Sequence, residues 1–190
     1  MKELFAIISL VLGFATFVPY YIEMWRGTAK PHIFSWIPWT VMTGIAFWLS
    51  ITNGGGAGAW LFALQSICCG IVLIYALFRG ERNITTFDRF TFAGTLIVLF
   101  LYVLTKNAII SSILAASVDT SAFIPTLRKS FMKPWEEPTL TYFLSGLSFL
   151  FTVLAIESFS FVTMFYAVCL ILSNFAFVVF ALIRRKMLRK

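Results

Sequence analysis

One acidic residue stands inside a long apolar run. Asp119 lies two residues past the centre of the segment 107–127, which carries no other charge. An acid at the middle of a bilayer costs about 2.5–3.5 kcal/mol on insertion scales, so such residues face a cavity and mark a solute or proton path. Ser117, Thr120 and Ser121 surround it. The plainer alternative is a structural acid that ties two helices together. Two amides sit in other apolar runs, Asn174 in 158–183 and Gln65 in 31–78. An amide offers two donors and an acceptor, which suits sugar hydroxyls or an amino-acid backbone. Its plainer use is a bond between helices, worth about 0.6 kcal/mol in membranes. Asp119, Asn174 and Gln65 are the candidate substrate-binding residues.

The remaining chemistry-bearing side chains have simpler readings. His32 stands beside Lys30 and Pro31 at an expected helix start. A solvated interfacial histidine is the expectation there, with pH sensing as the alternative. Glu136 and Glu137 precede Pro138, at a helix N-terminus whose dipole favours acids. Cys68, Cys69 and Cys169 lie in apolar runs with no metal-ligand spacing, and read as small buried hydrophobes. The glycines at 54–58 lack the Lys-Ser/Thr of a phosphate-binding loop and read as a tight hairpin. No nucleophile–base pair, carboxylate pair or metal cluster is visible, so neither an enzyme, a metal nor a cofactor is expected.

Membrane helices must position these groups. Of 190 residues, 60% are hydrophobic and 12% charged, with 22 phenylalanines, and the mean hydropathy is +0.91. Soluble domains run near 45–50% apolar and about 25% charged. There is too little polar surface here to cover a globule in water, which excludes an ordinary soluble enzyme or a disordered chain. The net charge of +7 reads as membrane orientation rather than nucleic-acid binding.

A crossing helix needs about 20 apolar residues. The uncharged or nearly uncharged runs 4–22, 31–78 (two crossings split at 53–58), 90–105, 107–127, 138–156 and 158–183 give seven. The first run is too long for a signal-peptide core and has no small-residue cleavage site. Tyr20, Tyr21 and Trp25 follow it as interfacial anchors, with Trp36 and Trp39 at the same boundary and Trp48 and Trp60 near the other. If the helices alternate, one side holds only Lys2 and Lys106. The other holds the remaining thirteen of fifteen lysines and arginines. The positive-inside rule then puts the N-terminus outside and the C-terminus in the cytoplasm of a multi-pass cell-membrane protein.

The chain also repeats itself. Pro19 and Pro125 are 106 residues apart, Pro31 and Pro138 107, and Arg79 and Arg184, which end YALFR and FALIR, 105. Residues 1–80 and 107–190 read as two copies of a three-helix unit within one membrane domain. A linker helix in 81–106 joins them and restores the orientation, so the repeats are parallel. A proline inside a membrane helix leaves a kink. Pro19, Pro38 and Pro125 are therefore candidate hinges, while Pro31 and Pro138 each open a helix. Asp119 has no acidic counterpart, because Gly13 occupies the aligned position.

This 3+1+3 plan resembles the PQ-loop superfamily, whose SWEET sugar transporters are built from parallel repeats. The likeness spans nearly the whole chain. The family's Pro-Gln pair is here Pro19-Tyr20 and Pro125-Thr126, without the glutamine. Pro19, Pro38 and Pro125 match three of the four SWEET helix prolines, and the fourth position falls at Ser145-Gly146. The segment GTAKPHIFSWIPW resembles segments of bacterial membrane proteins, and the chain is similar to such divergent relatives. The resemblance implies a third helix lying between the first and second in each unit. It also implies substrate-contacting asparagines in helices 3 and 7, which Asn174 matches in helix 7. On the repeat spacing Asn174 aligns with Cys69 rather than with Gln65.

The leading expectation is a transporter of a small polar solute, a sugar or an amino acid. Asp119 points to proton coupling, and facilitated diffusion is the other option. The partners implied are the solute, protons and the lipid bilayer, with homo-oligomers left open. The alternative is a non-transporting membrane assembly or regulatory protein. A polar cavity between the repeats favours the first, and a dry phenylalanine-packed centre favours the second.

Overall fold

The computed structural model describes residues 1–105 and 107–188. Lys106, Arg189 and Lys190, which enter the charge tally above, lie outside the described residues. Among those described, the chain is all-α: α1 (Lys2–Trp25), α2 (Ile33–Thr52), α3 (Trp60–Arg79), α4 (Thr86–Leu104), α5 (Ala108–Met132), α6 (Thr139–Ala155) and α7 (Phe161–Leu188). All but α6 are long and apolar enough to cross a membrane. With 17 residues, α6 spans about 25 Å at 1.5 Å per residue.

Local chemistry sets the ends of these helices. Gly27, with φ of +71°, turns the chain out of α1. A short 3-10 turn, Gly56–Ala59, leads into α3, and Gly54 and Gly56 both take positive φ, as the glycine-rich hairpin requires. A reciprocal cap starts α4: the Thr85 hydroxyl accepts from the Asp88 N–H while the Asp88 carboxylate accepts from the Thr85 N–H. Thus α4 begins four residues earlier than the apolar run, and α5 likewise runs on to Met132. The Asn107 side chain caps α5. Pro19, Pro38 and Pro125 lie inside their helices. Pro138 is the residue before α6, and Pro31 precedes α2 by two residues.

The helices alternate in direction. At one end, the connections after α1, α3 and α5 meet the end of α7. The Glu81 N–H donates to the Pro31 carbonyl (3.0 Å). Arg128 donates to the Asn83 carbonyl (3.0 Å), and Arg185 to the Pro134 carbonyl (3.0 Å). At the opposite end, Lys2 donates to the Glu157 carbonyl (3.0 Å), and Gly54 sits against Ser158. The cationic residues therefore gather at one end, called here the basic end.

The backbone of α3 lies against both α1 and α2, and that of α7 against both α5 and α6. By contrast, α1 and α2 make no close backbone approach to each other, nor do α5 and α6. Two seams join the groups: α1 runs antiparallel to α6 in the most extensive helix pair of the fold, and α2 packs on α5. Mainly α5 holds α4, through Thr95 and Ser121 hydroxyls 2.8 Å apart. Phe34 of α2 also stacks on Phe92 of α4 at 4.5 Å. Most of α4's large apolar side chains are exposed, as a lipid-facing helix requires.

Several interfacial expectations are corrected. Trp25 is 93% exposed, and Trp48 and Trp60 are exposed, but Tyr20, Trp36 and Trp39 are buried. They face the centre because they flank an internal cavity rather than the headgroup layer. His32 is fully buried rather than solvated, since the loop after α3 and the start of α4 cover it.

Candidate functional site

A cavity of about 60 Å³ lies where α1, α2, α3, α5, α6 and α7 converge. Asp119, Asn174 and Gln65 all line it, on α5, α7 and α3. Asp119 and Asn174 sit at the middle of their helices, and Gln65 one turn into α3. The other polar groups are Thr16, Thr43, Thr141 and Ser145, while Phe17, Trp36, Trp39, Phe123, Tyr142 and Phe149 form most of the wall. No lysine, arginine or histidine lines it. At roughly 10–15 Å³ per water, the volume holds about four to six waters. Every lining residue is buried.

Asp119 lines the cavity and also ties helices together. Its Oδ1 accepts a hydrogen bond from the Tyr166 hydroxyl of α7 (3.0 Å), which ties α5 to α7. Its carbonyl accepts from the Trp39 indole N–H of α2 (3.2 Å), which ties α5 to the other helix group. Its Oδ2 is buried with no hydrogen-bond partner among the described residues. The Asn174 amide donates to the Leu170 carbonyl one turn back (2.8 Å), so it does not reach Asp119. Gln65 Nε2 and Thr141 Oγ1 are also buried without partners. Trp36 Nε1 lies beside the Tyr20 hydroxyl without hydrogen-bond geometry. Buried polar groups are normally satisfied, because each one left unmade costs about 1–3 kcal/mol. Asp119, Gln65, Thr141 and Trp36, which carry these atoms, all line the one cavity.

No protein-family model, curated protein or solved structure matches this chain. The cavity is therefore read from its own residues. Twelve of its fifteen lining residues pair at separations of 105 or 106: Phe17 with Phe123, Trp36 with Tyr142, Trp39 with Ser145, Thr43 with Phe149, Gln65 with Leu170, and Cys69 with Asn174. The two helix groups thus present corresponding positions to one centre. Thr16, Thr141 and Asp119 stand outside the pairing. Gly13, the counterpart of Asp119, faces Leu61 and Gln65 on α3.

Sequence reasoning missed a buried ion pair toward the basic end. Glu137 is fully buried and pairs with Lys129, itself 2% exposed. The Glu137 carboxylate also accepts from the hydroxyls of Tyr142 (2.9 Å) and Tyr20 (3.3 Å). Lys129 donates in addition to the Lys30 carbonyl (2.6 Å). This network joins α1, α5 and α6, and its Tyr142 also lines the cavity. One signal was available in the sequence: Asp119, Thr126 and Lys129 fall on one face of α5 at helical spacing. At the other end the plug is apolar, with Phe62 stacked on Phe149 (5.9 Å) and tilted on Tyr166 (5.7 Å).

A second buried cluster lies beside the first. Arg128 grips Asp88 with two bonds of 2.7 Å, and His32 Nε2 is 3.5 Å from the same carboxylate. Burial pulls the His32 pKa down and the Asp88 charge only partly restores it, with Lys129 and Arg128 adding to the depression. Burial pushes Glu81 up, but the Asn83 N–H and Lys133 outweigh it and hold its pKa below the usual carboxylate value.

Proposed function

We propose that the chain is a membrane transporter of a small polar solute, bound in the central cavity between two parallel three-helix units. The observation that carries this reading is the buried central cavity itself, polar on one carboxylate and two amides and lined from both helix groups. The 3+1+3 plan draws support from the paired lining positions and from α3 and α7 lying in the middle of their groups, as the PQ-loop resemblance implies. It also draws on Arg79 sharing a groove with Trp25 while Arg184 lies over the Phe131 ring at 3.9 Å. Both arginine–aromatic pairs recur at the repeat spacing.

In this reading α4 is the linker and the basic end is cytoplasmic. The solute reaches the cavity when one closure or the other opens. The proline kinks at Pro19, Pro38 and Pro125 sit where α1, α2 and α5 would bend. A monosaccharide, with about twelve non-hydrogen atoms, needs the cavity to expand well beyond its present size.

A solute-uptake screen in proteoliposomes at two pH values tests the proposal. A carrier gives saturable uptake that the Asp119→Asn variant alters. In a proton-coupled carrier this variant loses uphill uptake but spares exchange, because Asn bonds but cannot release a proton. In a facilitator it changes affinity alone. The aromatic density of the centre favours a second reading, a non-transporting assembly or regulatory protein. Under that reading no solute is taken up, and Asp119→Asn is silent except in stability.

A further inference from the structure

We infer that the central cavity is built for a small organic ammonium ion carrying one further oxygen, the chemistry of an amino alcohol, a substrate class that rests on the transport reading above. Three observations converge. First, the cavity holds one carboxylate and no cationic side chain. Asp119 is 2% exposed, and Tyr166 occupies only one of its oxygens. An ionised carboxylate buried without a counter-charge is costly, and a cationic ligand offsets part of that cost, as protonation also does. The nearby basic groups are already engaged: Lys129 with Glu137, and Arg128 with Asp88.

Second, aromatic rings line the same cavity. Trp36 and Trp39 meet edge to face at 5.1 Å, and Trp39 meets Phe123 at 4.8 Å. These rings share the cavity with Asp119. Aromatic faces attract desolvated ammonium groups, tryptophan most strongly. A sugar has no charge to set against the carboxylate. A zwitterionic amino acid brings a second carboxylate into a space without a cation to receive it.

Third, the unpartnered donors give the ligand's other end a destination. Gln65 Nε2 and the Thr141 hydroxyl are buried and unpartnered in the same cavity. The Gln65 amide suits one acceptor oxygen on the far side from Asp119. The volume, room for about four to six water-sized atoms, fits a molecule the size of ethanolamine. Asp119 also breaks the internal pairing of the cavity, since its counterpart is Gly13. A single charge on one side orients a ligand with two unlike ends.

The test is binding of ethanolamine to the purified full chain in detergent, by calorimetry and thermal shift, beside ethylamine, ethylene glycol, glycine and glucose. Ethanolamine should bind saturably, with ethylene glycol, glycine and glucose at least tenfold weaker. Asp119→Asn should weaken ethanolamine by about tenfold or more, the scale of a lost charge-assisted bond. Gln65→Leu should weaken ethanolamine a few-fold and leave ethylamine unchanged. That second variant keeps the test intact if Asp119→Asn fails to fold. Glycine or glucose binding as tightly as ethanolamine overturns the inference, as does ethanolamine binding that Asp119→Asn leaves unchanged, or no binding at all. Uptake in proteoliposomes separates the two proposals. Ethanolamine bound but not moved defeats the transport reading and keeps the amine site. A sugar or zwitterion moved, with no amine bound, does the reverse.

Discussion

Replacing Lys129 with methionine removes the cation from a fully buried carboxylate. The Glu137 carboxylate keeps the phenol donors Tyr142 and Tyr20, at 2.9 and 3.3 Å, while Arg185 donates to its main-chain carbonyl (2.7 Å). The Lys30 carbonyl loses its 2.6 Å donor. Breaking a buried pair by deleting one partner costs about 3–5 kcal/mol, because the remaining charge is uncompensated. At about 2–4 °C per kcal/mol for a chain of this size, the melting temperature should fall by about 6–20 °C. Adding Glu137→Gln removes the stranded charge while keeping its shape and its bonds to the tyrosines. The double variant should therefore recover at least about 2 kcal/mol of the loss. Thermal unfolding followed by tryptophan fluorescence in detergent reads this out, since Trp36 lies edge-on to Tyr20 at 5.0 Å. Lys30→Met is the control. Its pair with Glu136 is 3.8 Å long and half exposed, a class worth about 0–1 kcal/mol. A Lys129→Met loss no larger than this control, or a double variant as costly as the sum of the singles, refutes the reasoning.

Three further outcomes follow from the geometry. Because the folded-state pKa of His32 lies below its ordinary 6.5, the unfolded chain binds more protons and stability falls as pH drops from about 6.5 toward that lower value; His32→Gln should remove this slope in melting temperature between pH 7 and 5. Gly80→Ala should destabilise by about 1–3 kcal/mol, since the added carbon would lie 2.5 Å from the Pro31 carbonyl oxygen and 2.6 Å from that of Ala76, backbone atoms that cannot yield. Reporter fusions after Gly55 and Glu157 should read external and those after Gly80 internal; an internal Gly55 overturns the proposed orientation.

The candidate site was legible wherever a polar residue interrupted an apolar run. Asp119, Asn174 and Gln65 stood out because each carries a cost in a bilayer, and all three line one cavity. The tryptophans misled because Trp36 and Trp39 lie where interfacial anchors usually fall, and only tertiary packing turns them inward. Glu137 was hidden differently. Its place before a helix gave a sufficient local reason for an acid, and its partner Tyr20 lies 117 residues away. The repeat register contained more than was read from it, since the 106-residue offset that matches Pro19 to Pro125 also matches Phe17 to Phe123 across the cavity. Helix number and alternation followed from hydropathy and charge, whereas the order of neighbours within each group needed coordinates or a family likeness.

The α1–α6 seam bears on how the chain is made. The most extensive partner of α1 is α6, and the bond from Lys2 to Glu157 spans 155 residues. Until α6 is synthesised, α1 has only α3 and the short turn before it for cover. Contacts so distant in sequence form late and slowly, because the intervening chain must first be ordered. Each half covers a flank of the other along the α1–α6 and α2–α5 seams. A truncated product ending after α3 or α5 is thus an unfinished surface that quality control can recognise, and assembly waits on the shortest helix in the bundle.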